Sequence, residues 1–261
     1  MGDLYTKPQA KAGSIDRGLS PNLWNQAPLQ QVLGGGLGEG FGFIDDFLTV
    51  HPTLGEGPWV GTQYGSAGAL VETAGKGGVI TLDSASASDD KGVQIQYGGA
   101  AAVSSFIPNA NAKIYYETRL KVVDITSGSD VDGIDLFVGL AAALTTIINA
   151  NANTSPNHIG FEHLESLAGS VSFVSEKAGS RSTETGVDTL VDGTFVKLGF
   201  IVDGLTSITP YVNGVAGTAI TTNVPIVEMT PSFVSQSNAL AVDPITHVDW
   251  VACIQAEDIA N

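Results

Sequence analysis

From Thr194 to Ile220 the chain reads TFVKLGFIVDGLTSITPYVNGVAGTAI. Val196, Leu198, Phe200 and Val202 fall on one face of an extended strand, with Lys197 and Asp203 on the other. The next run repeats the alternation, Ile208 and Val212 against Thr209 and Tyr211. Asp203-Gly204 and Asn213-Gly214 separate these runs. Asx-Gly pairs between apolar runs suit type I′ hairpin turns, whose two central residues both need positive φ. The pattern predicts a three-strand antiparallel meander.

The same period runs through the rest of the chain. From Lys113 to Asp124, Ile114, Tyr116, Thr118, Leu120 and Val122 share one face; Lys113, Glu117, Arg119 and Lys121 share the other. This predicts a half-buried strand with one wet face. Asp135 to Ala142 (DLFVGLAA) is apolar on both faces and belongs in a sheet centre. Leu144 to Ile148 reads as a short helical turn before a polar loop over 149–156. Strands follow at HIGFEH (158–163), SVSFVSEKAG (170–179), PSFVS (231–235) and His247 to Ala256. Upstream, ALVET, GVITLD and GVQIQY are strand-like, and FIDDFLTV from Phe43 opens the body. The stretch 84–91, rich in Ser, Ala and Asp, reads as a solvated loop. Short strands with such turns indicate an all-β sandwich of two antiparallel sheets, roughly a dozen strands, forming one domain over 43–261.

Residues 1–42 break the pattern. Three prolines punctuate them, and Leu33 to Gly42 holds six glycines in ten positions, a poor helix and a poor strand. Leu19, Leu23, Trp24, Leu29, Val32 and Leu33 form an isolated apolar set that suits one helical turn. The segment reads as an extended arm and hinge whose partner surface lies outside its own core. A disordered tail is the other reading.

Charge and composition narrow the partners. With 11 basic and 27 acidic residues the net charge is −16, against sequence-independent nucleic-acid binding and against docking on anionic lipid. A single cysteine, Cys253, in an apolar run, excludes an intrachain disulfide and suits an inert buried thiol. The opening MGDLYTKPQAKAG has no apolar secretion signal, and no run reaches the ~20 apolar residues of a membrane span. The expectation is a product made and folded in a cytoplasm.

Little of the chain suggests chemistry. Asp130, Asp132 and Asp135 flank a glycine and offer hard oxygen ligands for Ca²⁺, but without EF-hand spacing, so an acidic loop is the better reading. Glycoside hydrolysis needs two carboxylates roughly 5–10 Å apart. No strand carries alternating acids of the Glu-x-Asp-x-x-Glu type; Glu162 and Glu165, like the adjacent Asp45 and Asp46, diverge on an extended strand. His51, His158, His163 and His247 lack zinc-ligand spacing. No phosphate loop or Gly-x-Ser-x-Gly elbow occurs, and Leu33 to Gly42 follows no strand. Trp59, Tyr64 and Tyr97 suit sugar stacking or, by default, packing. No catalytic, cofactor-binding or metal-ligating residue is assigned, and the expectation is a chain that is not an enzyme.

Several of these strands together resemble a known family. TFVKLGFIVDG, ITPYVNGVAG, PSFVSQS and the closing HVDWVACIQ resemble concanavalin A-like/laminin G-like jelly rolls of tailed-bacteriophage virion proteins. IYYETRLKV (114–122) and DLFVGLA (135–141) fit the same pattern. The likeness covers about 110–257 well, 43–109 loosely and the arm not at all. It implies a jelly-roll sandwich without cofactors, serving as a head decoration or cement protein assembled in the host cytoplasm and located in the virion. Its partners would be the major capsid protein and neighbouring copies, three-fold capsid sites favouring a homotrimer. The alternative is a carbohydrate-binding module or adhesin of a tail or fibre, with glycans as partner.

Overall fold

A computed structural model describes residues 16–29, 33, 40–47, 58–64, 69–72, 78–84, 88–98, 106–123, 133–164, 170–238 and 243–257. It forms two antiparallel sheets packed face to face. Sheet A contains β1 (Gly40–Asp45), β3 (Ala69–Glu72), β4 (Ile80–Asp83), β6 (Ala112–Val123), β13 (Val196–Asp203), β14 (Ser207–Val212), β15 (Val215–Ala216) and β17 (Ile245–Glu257). Their order is β15-β14-β13-β6-β17-β4-β3, with β1 paired to β17. Sheet B contains β2 (Trp59–Tyr64), β5 (Lys91–Tyr97), β7 (Ile134–Ala141), β10 (Asn157–His163), β11 (Ser170–Lys177), β12 (Ser180–Thr189) and β16 (Thr230–Ser237). Its order is β12-β11-β10-β7-β16-β5-β2.

The apolar faces of both sheets meet in one core. Ile114, Tyr116, Leu120 and Val122 of β6 and Leu198, Phe200 and Val202 of β13 come from sheet A. Leu136, Val138 and Leu140 of β7, Phe161 of β10 and Phe233 of β16 come from sheet B. The all-β sandwich read from the periodicity is therefore the fold, and β7 lies at the middle of its sheet as its two apolar faces require. The meander is present as β13-β14-β15. Asn213 and Gly214 both have positive φ (50° and 77°), as a type I′ turn needs. The turn at Asp203 is wider: Asp203 pairs with Ser207 and only Gly204 takes positive φ.

Three local expectations change. The stretch Leu144 to Ile148 is not helical; β8 (Ile148–Asn149) and β9 (Ala152–Asn153) form a small hairpin instead. β12 was not foreseen, because a polar edge strand lacks apolar alternation. Gly40 and Gly42, read as too flexible for a strand, open β1. A Cβ on Gly40 would lie 2.0 Å from the Gln255 carbonyl oxygen, and one on Gly42 would lie 2.4 Å from that of Cys253. Glycine is what lets this strand approach β17 closely.

Candidate functional site: two covered sheet faces

Each sheet has an outer face, and each outer face is covered. On sheet A the cover is the segment 16–29, which includes the single-turn helix α1 (Pro21–Trp24), with proline at its start. Leu23 and Trp24 pack against Tyr115, Ala252 and Ile254, and Trp24 stacks on Tyr115 with ring centroids 6.0 Å apart. Leu23 sits over Gly199, where a Cβ would come within 2.6 Å of the leucine Cδ1. The glycine of the LGF motif is thus a slot for the arm.

Charged groups fasten the same segment. The Glu117 carboxylate Oε2 accepts from the Ser20 backbone N–H at 3.0 Å and the Trp24 indole N–H at 2.8 Å. Burial pushes the Glu117 carboxyl above its ordinary range, while these hydrogen bonds and nearby Lys197 oppose the rise. Lys197 is 0% exposed; its ammonium donates to the Gly18 carbonyl at 3.0 Å and lies 3.6 Å from Asp16. Asp249 accepts from Arg17 at 2.8 Å and from Arg119 at 2.6 Å. The face of β6 read as wet is therefore dry at its centre, because 16–29 lies on it.

On sheet B the cover is the connection from β7 to β10. Leu144, Ile147 and Ile148 pack with Tyr64, Phe137, Ala141 and Val234 on the outer face. Uncharged groups hold it. Gln94 Nε2 donates to the Leu144 carbonyl at 2.5 Å, and Gln94 Oε1 accepts from the Ile147 N–H at 2.9 Å. Gln96 Oε1 accepts from the Leu144 N–H at 3.0 Å, and the Tyr64 hydroxyl bonds both Gln94 and the Ile147 N–H. Burial pushes the Tyr64 phenol up.

Beside this cover lies the richest ionisable group on sheet B. Glu162 pairs with Arg181, whose second terminal nitrogen is 3.9 Å from Glu176. His158 Nε2 is also 3.9 Å from Glu176, and its Nδ1–H donates to the Ser155 carbonyl at 2.8 Å. Burial, helped by the charge of Arg181, lowers His158 to about 4. Glu176 is raised by burial. Register also places Asp135 on this face: Glu162 pairs with Phe137, two residues along β7 from Asp135. Asp135 and Glu162 are thus diagonal cross-strand neighbours on one face of the sheet. Both side chains are at most 1% exposed.

The other residues singled out from sequence are structural where described. Asp45 accepts from the Trp59 indole and the Phe47 N–H, both at 2.8 Å. Trp59 is in the core and Tyr97 stacks on Phe43 at 4.2 Å. His163 Nδ1 meets the Ile134 carbonyl at 2.9 Å, and His247 meets the Thr81 hydroxyl at 3.0 Å. Cys253 is a buried free thiol, pushed well up by burial. Asp130, Asp132, His51 and Glu165 lie outside the described residues, and no cluster of three or more metal-ligating side chains occurs among the described ones.

No family model matches the chain, and no curated protein matches its sequence. Among solved structures, an endo-1,3-β-glucanase from Streptomyces sioyaensis superposes with a TM-score of 0.56 at 12% identity, over 82% of this chain and 95% of that one. Peanut lectin with a 9mer peptide gives 0.54 at 17% identity, over 83% and 97%. A β-glucanase from Bacillus licheniformis gives 0.52 at 15%, over 81% and 96%. The fold is thus a concanavalin A-like jelly roll, shared with lectins and glucanases. This corrects the expectation of a chain that is not an enzyme: a family 16 glycoside hydrolase is also built on this sandwich. Asp135 and Glu162 share a face from two neighbouring strands, a juxtaposition that spacing along a single strand does not show.

Proposed function

We propose that the chain is a virion protein of a tailed bacteriophage whose jelly roll decorates the head, tied to the capsid and to neighbouring copies by its N-terminal arm. The ordered strand motifs support this reading, and one structural observation carries it. Residues 16–29 are fastened to the outer face of sheet A through Glu117, Lys197 and Asp249 rather than being threaded into the core. That fastening fixes residues 16–29 at one place on the body. Arms of this kind bind by main-chain pairing and scattered apolar anchors. Antibodies against the body should label the heads of purified phage particles from the culture that makes the chain; unlabelled particles would remove the reading. A variant lacking residues 1–15 should keep its circular dichroism spectrum yet no longer sediment with those particles.

A second reading is glycan recognition. It is favoured by the sandwich shared with a lectin and glucanases, and by Asp135 sharing the outer face of sheet B with the Glu162–Arg181 pair. A glycan array with and without Ca²⁺, together with incubation on β-1,3- and β-1,3-1,4-glucans, tests it. Binding or turnover abolished by Glu162→Gln would establish it over the first reading; silence in all arms would end it.

A further inference from the structure

We propose that the socket for residues 16–29 on sheet A also accepts the same segment from a second copy of the chain, so that copies associate by exchanging arms. The socket is specific. Gly199 makes the hole for Leu23, Tyr115 supplies the stacking surface for Trp24, and Glu117 and Lys197 take main-chain and indole atoms of the arm.

An empty socket returns Glu117, Lys197, Arg119 and Asp249 to water but uncovers Tyr115, Trp250, Ala252 and Ile254, an apolar face that the arm of a second copy covers again. The main core, built from the opposite faces of the same strands, is untouched by that departure. An arm that lies on a finished sheet, outside the main core, can leave without unfolding the body.

The connection allows the exchange. Residues 30–39 join the segment to β1 and include Gly34, Gly35, Gly36 and Gly38. Ten residues span up to roughly 33–36 Å, enough to carry the segment onto a neighbour that sits alongside. Exchange of one element between identical chains needs no new complementary surface, only a hinge long enough to choose the other copy.

This inference gives the virion reading its contact between copies, and its test involves no capsid, so either can fail alone. Two full-length variants are made: Leu23→Ala with Trp24→Ala, which spoils the arm but keeps the socket, and Glu117→Lys, which spoils the socket but keeps the arm. Circular dichroism first establishes that both are folded; Lys197→Glu replaces Glu117→Lys if the latter is not. In native mass spectrometry and sedimentation, the wild type should associate, each variant alone should be monomeric, and the mixture should form a one-to-one heterodimer. A wild type that stays monomeric at every concentration overturns the proposal. So does an associating wild type whose two variants form no heterodimer, because the contact then runs through another surface.

Discussion

The two outer faces of this sandwich are both covered, but by different means. Sheet B is covered by a connection between β7 and β10, which are neighbours in that sheet, so strands pin the cover at both ends. Its contacts are apolar side chains and uncharged glutamine amides. Sheet A is covered by a segment from outside the sheets, anchored by Leu23 and Trp24 and fastened in addition by a carboxylate, an ammonium and a shared aspartate. The first cover is part of the body, and opening it costs core packing. The second is a latch on a finished sheet, and releasing it uncovers one small apolar cluster while returning charges to water. A covered sheet face is thus not one kind of feature; the chemistry of the cover says whether it moves.

The largest test removes packing from the permanent side. Phe137→Ala takes a fully buried ring from beneath the sheet B cover, and denaturant unfolding should lose about 3–5 kcal/mol. The double replacement Leu23→Ala with Trp24→Ala on sheet A should cost global unfolding far less and appear instead as faster proteolysis after Arg17. Equal losses from the two faces would break the comparison.

Acid provides a second test. His158 titrates at about 4 in the fold against an ordinary 6.5. Its depressed value means that the unfolded chain takes up the proton first as pH falls. Its contribution is therefore whole above about 6.5 and is lost as pH drops to about 4, on the order of 3 kcal/mol. The groups facing it are Glu176 and, through it, Arg181 and Glu162. His158→Gln should flatten that part of the stability–pH curve.

Smaller effects follow from single polar groups. Gln94→Ala leaves the Leu144 carbonyl and the Ile147 N–H without that partner, which should cost roughly 1–3 kcal/mol and raise hydrogen exchange across 144–148. Glu117→Gln should change stability least, by less than about 1 kcal/mol. The raised carboxyl of Glu117 supports the latch below its folded value and does so less as pH rises through it. The glutamine variant should lose that dependence, read as protease susceptibility after Arg17 against pH.

Much of the fold was legible because antiparallel strands with one buried face must alternate. The meander, β6 and the doubly apolar β7 followed from that period alone. β12 was invisible because an exposed edge strand has no face to bury. Leu144 to Ile148 misled because a short apolar run does not say whether it is helix or hairpin. The candidate sites were less legible still. Glu117 read as solvent-facing from its own strand, and only a segment nearly 100 residues before it makes it dry. Asp135 and Glu162 share a face because β7 and β10 pair in one particular register, which no local window contains.

By itself, then, the sequence determined an acidic all-β sandwich, its central strands and the inner face of each, because side-chain period and turn chemistry are local. Tertiary structure alone decided what lies on the outer faces. Covering a sheet is a long-range event, settled by which distant segment has a leucine for the gap over Gly199 or a backbone N–H for Glu117. Local pattern says that a face is polar; whether that polarity meets water or another part of the chain depends on the packing of the whole.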